Sequence, residues 1–122
     1  MILSEIADVI KAEVLSGESA DELNNINIHN ACGSDLMSDV LAFVKDQSLL
    51  LTGLVNLQVV RTAEMMDIRA VCFVRGKTPP ESLIELAKEL GIVILKTQLP
   101  MYIACGRLYL SGLEGRKDAE AL

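Results

Sequence analysis

Small polar and charged residues follow the apolar runs of this chain, and their types suit the binding of a small anion. Glycines let a ligand approach backbone N–H groups closely, and Ser or Thr hydroxyls donate hydrogen bonds. Arg75 and Lys77 add local positive charge. The candidate ligand-binding residues are Gly33, Ser34, Asp35, Thr52, Gly53, Arg75, Gly76, Lys77 and Thr97. Glycine, threonine and serine also end strands for reasons of turn geometry alone, so that interpretation stays open beside the ligand site.

The same region offers a second interpretation, a small hydrolase that uses Cys32 or the carboxylates Asp35 and Asp39. Cys32 precedes a predicted helix N-terminus, whose positive end lowers the pKa of a thiol. Asp35 and Asp39 share one helix face by their spacing, as paired acid–base carboxylates require. Neither candidate has a recognisable base and orienting group, and His29 is the sole histidine. We therefore assign no catalytic residue, no metal ligand and no cofactor.

The segment Gly76-Lys77-Thr78 has the ending of a phosphate-binding P-loop. That motif needs an earlier glycine where this chain has Val71, inside a predicted strand. Pro79 and Pro80 then remove two backbone donors. We interpret the segment as a loop that begins a helix, with Thr78 as N-cap and Pro79 at the first helical position.

The elements that carry these residues predict an α/β fold. Apolar runs without polar alternation, typical of strands covered on both faces, occupy residues 49–54, 68–74 and 92–96. Weaker strands are expected at residues 13–15 and 26–31, whereas residues 21–25 are polar and predict no regular element. Amphipathic stretches alternate with the strands. We expect a three-layer α/β/α arrangement with a mostly parallel sheet of about five strands.

Composition narrows the class of protein. The chain has 122 residues, a length that suits one domain, which we place at residues 1–113 with a flexible tail at 114–122. The net charge of −6 argues against nucleic acid and anionic membranes as partners. No apolar stretch reaches membrane-spanning length, and the first residues lack the basic segment of a signal peptide. Three widely spaced cysteines fit free thiols in a reducing cytoplasm.

The predicted last helix, residues 101–110, is apolar on nearly all sides, and Arg107 is its one charged residue. A terminal helix of a small domain ordinarily keeps one polar face in water. We therefore expect this helix to be buried against a second copy, in a homo-oligomer such as a dimer. The candidate interface residues are Met101, Tyr102, Cys105, Leu108 and Tyr109.

Several segments resemble the DRTGG domain and the related N-terminal domain of bacterial HPr kinase/phosphorylase. They are residues 79–88, which begin Pro79-Pro80-Glu81, residues 91–97, Gly106-Arg107-Leu108-Tyr109, residues 34–40, residues 6–10 and residues 14–17. The resemblance covers about residues 3 to 113. The pentapeptide that names the family is missing, since Thr52-Gly53 is followed by Leu54. Val93 stands where the family often has proline.

The resemblance implies a three-layer α/β domain that acts as a regulatory or ligand-binding accessory and is often dimeric. It does not imply kinase activity, which belongs to a separate nucleotide-binding domain of those enzymes. We therefore expect a non-catalytic cytoplasmic domain that senses a small anion or nucleotide. The alternatives are the small hydrolase and a structural adaptor that docks a partner protein.

Overall fold

A computed structural model describes residues 1–43 and 48–114, and its elements alternate between helix and strand. They are α1 (Leu3–Val9), β1 (Glu13–Val14), α2 (Ala20–Asn24), β2 (Asn30–Gly33), α3 (Met37–Phe43), β3 (Ser48–Thr52), α4 (Leu57–Met65), β4 (Ala70–Phe73), α5 (Glu81–Glu89), β5 (Val93–Lys96) and α6 (Met101–Leu110). Apart from Glu114, the predicted tail lies outside the described residues. None of the helices in the described part is long and apolar enough to cross a membrane.

The five strands form one mixed sheet in the order β1-β5-β4-β3-β2. Strands β2, β3, β4 and β5 pair parallel to one another, whereas β1 pairs antiparallel with β5. The expectation of a mostly parallel sheet is therefore corrected to a mixed one. Strand direction is set by hydrogen bonding to a partner, and β1 is too short for its residue pattern to indicate which partner it finds.

The sheet lies between two hydrophobic cores, which explains its unbroken apolar strands. Leu49 and Leu51 pack with α1, α2 and α6 on one face. Leu50 points to the opposite face and packs with α3, α4 and α5. Successive side chains of a strand alternate between faces, so a strand covered on both sides is apolar at every position.

Local capping signals set the beginnings of two helices. The Asn56 side chain accepts a hydrogen bond from the Val59 N–H at the start of α4. Helix α2 begins with a capping box in which Ser19 and Glu22 exchange side-chain and backbone hydrogen bonds. The sequence analysis missed α2, although the Ser-x-x-Glu spacing at Ser19 was its signal.

Two local predictions were wrong. Pro80, not Thr78, is the N-cap of α5, and the Thr78 hydroxyl instead accepts a hydrogen bond from Lys96 at 2.8 Å. The strand expected at residues 26–31 is β2, which begins only at Asn30. Ile26 and Ile28 alternate with polar residues because this extended segment packs against the core beside α1, and its Asn27 makes an isolated bridge with Ile2.

Candidate functional site

The candidate site lies along one edge of the sheet, where three neighbouring strands end. Strands β2, β3 and β4 are parallel, so their carboxyl ends meet at the same edge. The residues that follow them are Ser34 and Asp35 after β2, Gly53 after β3, and Arg75 to Lys77 after β4. This is the position where ligands bind in open α/β sheets.

Asp35 ties two of these strand ends together. Its Oδ1 accepts hydrogen bonds from the Gly53 N–H at 2.6 Å and from the Thr52 hydroxyl at 3.0 Å. The Thr52 oxygen in turn accepts a bond from the Leu54 N–H at 3.1 Å. The Gly53 N–H lowers the pKa of the Asp35 carboxyl, and the Thr52 hydroxyl, Arg75 and Lys77 add to this shift against the opposing effect of burial. Asp35 is therefore an ionised carboxylate at neutral pH.

The two basic residues converge on Gly53 from the loop after β4. The Lys77 ammonium donates a 2.7 Å hydrogen bond to the Gly53 carbonyl. A guanidinium nitrogen of Arg75 lies 2.7 Å from the position that a Cβ on Gly53 would take. Arg75 also adopts a left-handed backbone conformation, with φ of 59°, which is uncommon for a residue other than glycine. Arg75 and Gly76 form the turn that follows β4, which places the cationic side chain at the sheet edge.

An open cavity of about 450 Å³ lies beside Arg75, between the strand ends and the start of α6. It is lined by Gly33, Ser34, Asp35, Val74, Arg75, Pro100, Met101 and Tyr102. The polar residues come from the strand ends, whereas Pro100, Met101 and Tyr102 form a mostly apolar wall. The cavity therefore has one side suited to an anion and another suited to an apolar or aromatic group.

Gly33 is what lets α6 come this close to β2. A Cβ on Gly33 would lie 2.8 Å from the Cys105 sulfur and 3.1 Å from the Met101 sulfur. A contact of 2.8 Å forces a displacement, so a larger residue here must shift the Cys105 and Met101 side chains or the helix that carries them. The glycine thus has a packing role in addition to its place in the cavity wall.

The structure brings most of the predicted ligand-binding residues together, but not all of them. Gly33, Ser34, Asp35 and Arg75 line the cavity. Thr52 and Gly53 are hydrogen-bonded to Asp35, and Lys77 is hydrogen-bonded to Gly53. Thr97 is buried and structural, since its hydroxyl donates to the Ile10 carbonyl at 2.6 Å. Gly76 makes a turn at φ of 70° and contacts the Gln98 side chain.

The apolar wall was only partly foreseen. Tyr102 and Met101 were predicted as interface residues and Pro100 was not singled out, yet all three line the cavity. The signal was available, because they follow β5, whose carboxyl end lies at the same sheet edge. What the sequence does not indicate is that the start of α6 lies across the cavity from the ends of β2 and β4.

The arrangement does not support the hydrolase interpretation. Burial raises the pKa of the Cys32 thiol, with a further effect from Cys105, so the alternative interpretation of Cys32 as an activated thiol gains no support. Helix α3 begins at Met37, well after Cys32. His29 is exposed and precedes the amino end of β2, at the opposite edge of the sheet. Among the described residues, no group of His, Cys, Asp or Glu side chains could hold a metal ion.

Helix α6 exposes part of its apolar surface. Tyr102 is 86% exposed and Leu110 89%, and Tyr109 is also exposed. Met101 and Cys105 are half-buried. Leu108 is only 1% exposed and packs in the core of its own chain, so it is corrected from an interface candidate to a core residue. Leu108 therefore lies on a different side of α6 from Tyr102 and Tyr109.

Comparison with known proteins first defines the class of fold. No protein-family model matches the chain, and no curated protein matches it. A solved structure with CBS and DRTGG domains does match, with a TM-score of 0.66, so the fold is of the DRTGG/CBS-like α/β kind. This agrees with the fold implied by the sequence resemblance and leaves the family itself a prediction.

That structure is the crystal structure of the CBS and DRTGG domains of the regulatory region of Clostridium perfringens pyrophosphatase, complexed with its activator, diadenosine tetraphosphate. The two chains are 15% identical, and the match covers 96% of the chain described here and 51% of the other. The chain therefore spans about half the length of the structure it matches. At this identity the likeness concerns the fold alone.

Proposed function

We propose that this protein is a non-catalytic regulatory domain that binds a small anionic ligand in the cavity beside Arg75. The observation that carries the proposal is the convergence of Arg75 and Lys77 on Gly53, at the edge of the sheet where the 450 Å³ cavity opens. Residues from the ends of three strands, β2, β3 and β4, build this part of the site. Its residues contribute charge and backbone groups but no nucleophile with a base, which suits binding rather than catalysis.

The charge at this edge favours an anion although the whole chain is acidic. Arg75 and Lys77 supply two positive charges against the single negative charge of Asp35. Asp35 keeps its charge but directs Oδ1 at Thr52 and Gly53, so two donors satisfy this oxygen. Arg75 is exposed and lines the cavity, where its planar guanidinium can donate two parallel hydrogen bonds to a phosphate or carboxylate.

Among small anionic ligands, a nucleotide fits the cavity best. Its volume of about 450 Å³ falls in the range of small-molecule sites. The Tyr102 ring, 86% exposed at the apolar wall, offers a surface on which a base can stack while the phosphates reach Arg75. The structural neighbour is a regulatory region in complex with a nucleotide activator, which supports a regulatory role of the same kind.

Calorimetric titration of the protein with ATP, diadenosine tetraphosphate and inorganic phosphate tests this proposal. We expect nucleotide binding to weaken about tenfold or more in Arg75→Gln, because a charge-assisted contact is lost. Arg61→Gln is the matched control, since Arg61 is an exposed cation on α4, away from the cavity. Absence of binding by any probe, or an Arg75→Gln variant that binds as tightly as the wild type, would contradict the proposal.

We also propose that the protein self-associates through the side of α6 that carries Tyr102 and Tyr109. Both tyrosines and Leu110 are exposed in the single chain, although large apolar side chains usually find cover. Sedimentation velocity over a range of concentrations measures the association. A monomer at every concentration would exclude it.

A further inference from the structure

A second cavity lies at the opposite edge of the sheet, where β4 and β5 begin. Its volume is about 420 Å³, and it shares no lining residue with the cavity beside Arg75. Arg69 directly precedes β4, and Gly91 follows α5 just before β5. The turn after β1 and the helices α2 and α5 supply further lining residues. The polar and charged side chains of the lining are Ser16, Glu18, Glu22, Arg69 and Lys88.

The four charged groups of this cavity do not pair with one another. Arg69 and Lys88 are cations, whereas Glu18 and Glu22 are carboxylates. Within the described part of the chain, Lys88 is the only one of the four in an ion pair. Its partner at 3.6 Å is Glu85, which does not line the cavity. Unlike charges attract, so the separation of these groups reflects the contacts that each of them already makes.

Each carboxylate is anchored through one oxygen and keeps the other available. Oε1 of Glu18 accepts a hydrogen bond from the hydroxyl of Ser16. Ser16 is buried and itself accepts a hydrogen bond from the Ile94 N–H of β5 at 2.8 Å, so this anchor is fixed to the sheet. Oε1 of Glu22 accepts a hydrogen bond from the Ser19 N–H at 3.2 Å in the capping box of α2. Neither Oε2 atom has a hydrogen-bond donor among the described residues, so both can accept one from a ligand.

The cations also retain donors for a ligand. Arg69 donates one hydrogen bond, to the Gly91 carbonyl at 3.3 Å, and a guanidinium has five N–H groups. Its planar shape matches the two oxygens of a carboxylate. The pair between Lys88 and Glu85 is exposed to water, where ion pairs are weak, so the Lys88 ammonium can exchange its partner for a ligand. The cavity therefore offers positive and negative groups at separate, anchored positions.

We propose that this cavity binds a free amino acid, with its carboxylate on Arg69 and its ammonium on Glu18 and Glu22. A ligand of one charge would be attracted by two of the four groups and repelled by the other two. A zwitterion gains at both pairs. The volume of about 420 Å³ falls in the range of small-molecule sites and leaves room for a side chain. The proposal is independent of the anion site beside Arg75, because the two cavities lie at opposite edges of the sheet.

Titration of the ¹⁵N-labelled protein with each proteinogenic amino acid at millimolar concentration tests the site. We expect at least one of them to shift the amide resonances of Ser19 and Gly91 saturably. Its N-acetyl derivative lacks the positive charge, and its carboxamide lacks the negative charge. Each should bind about tenfold more weakly or worse, because one charge-assisted contact is lost. If no amino acid shifts these resonances, or if either derivative binds as tightly as the amino acid, the proposal is wrong.

Two substitutions assign the contacts. Arg69→Gln and Glu22→Gln each remove one charge, and we expect the dissociation constant of the amino acid to rise about tenfold in either variant. The amide oxygen of Glu22→Gln can still accept the hydrogen bond from Ser19, so the cap of α2 is kept. Arg61→Gln and Glu89→Gln are the matched controls, since both positions are exposed and neither lines the cavity. Unchanged affinity in both cavity variants would overturn the proposal.

The same titrations separate this site from the anion site. Arg75→Gln should leave the affinity for the amino acid unchanged, and Arg69→Gln should leave the affinity for ATP unchanged. Loss of ATP binding with retained amino-acid binding would count against the anion site alone. Loss of amino-acid binding in Arg75→Gln would contradict two separate cavities and overturn this proposal.

Discussion

Asp35 accepts a 2.6 Å hydrogen bond from the backbone N–H of Gly53, a residue 18 positions further along the chain. The same oxygen accepts a hydrogen bond from the Thr52 hydroxyl, so one carboxylate holds the end of β3 against the segment that follows β2. Lys77 reaches the Gly53 carbonyl from the third strand end. The geometry of the proposed anion site thus depends on a carboxylate that itself lines the cavity.

We expect Asp35→Ala to destabilise the protein by about 1–2 kcal/mol, because it leaves the Gly53 N–H and the Thr52 hydroxyl without their partner. Asp35→Asn should cost less, since the amide oxygen can still accept one of the two bonds. Urea denaturation measures both. Asp8→Asn, an exposed position on α1, controls for the loss of one negative charge. Equal stability of Asp35→Ala and the wild type would show that the contact contributes nothing.

The stabilisation from Asp35 should depend on pH with a defined sign. Folding lowers the pKa of this carboxyl, chiefly through the Gly53 N–H. Its contribution is therefore complete above the ordinary Asp pKa of about 3.9 and is lost as the pH falls through the lower folded value. We expect the difference in unfolding free energy between the wild type and Asp35→Asn to shrink below about pH 4. If the difference in unfolding free energy instead grows in acid, the pKa of Asp35 is not lowered by folding.

Gly33 and Cys105 should behave as a coupled pair. Gly33→Ala places a Cβ 2.8 Å from the Cys105 sulfur, and we expect a loss of about 1–3 kcal/mol from overpacking. Cys105→Ala removes the sulfur, so the double variant should recover part of that loss. Thermal or urea unfolding of the four proteins completes the cycle. Strict additivity of the two single effects would mean that the close approach is relieved in some other way.

Two leucines two positions apart on α6 should differ sharply in their effect on stability. Leu108 is 1% exposed and Leu110 is 89% exposed. We expect Leu108→Ala to cost about 2–5 kcal/mol, the usual range for a buried leucine. Leu110→Ala should stay within about 0.5 kcal/mol of the wild type in dilute solution. Similar losses at both positions would indicate that Leu110 is covered, as in a tight oligomer that persists on dilution.

Cysteine reactivity should follow burial. Desolvation raises the pKa of Cys72 to about 12, and burial also raises the pKa of Cys32 and Cys105. We expect iodoacetamide at neutral pH to leave Cys72 unmodified in the folded protein and to modify the other two slowly. Mass spectrometry after timed quenching gives the rate at each site. Rapid modification of Cys32 below neutral pH would revive the nucleophile interpretation.

The element pattern of this fold was largely predictable, because local signals carry it. The apolar runs at β3, β4 and β5 and the apolar helix α6 were recognised within a few residues of their bounds. Errors arose where one pattern has two physical origins. Alternation at Ile26 and Ile28 indicated a strand, but it reflects an extended segment packed beside α1. The Thr78 hydroxyl indicated an N-cap, but it accepts a hydrogen bond from Lys96 across the sheet edge instead.

The sequence predicted which residues belong to the candidate site, but it did not predict how they are placed relative to one another. The rule that parallel strands end at one edge selected Gly33, Asp35 and Arg75 correctly as neighbours. The same rule also selected Thr97, whose hydroxyl turned out to donate to Ile10, 87 positions away in the chain. Nothing local distinguishes a threonine that faces a cavity from one that faces a core, since the difference lies in which distant segment packs against it.

The sequence by itself determined the alternation of strands and helices and the polar character of the strand ends, because short-range periodicity and turn chemistry follow from neighbouring residues. Only the tertiary structure decided that β1 runs antiparallel to β5, that β2 is the last strand of the sheet, and that the start of α6 faces the ends of β2 and β4 across a cavity. These outcomes depend on hydrogen bonds and burial between segments far apart in the chain. Such long-range contacts produce no periodic pattern in the sequence of the residues that make them.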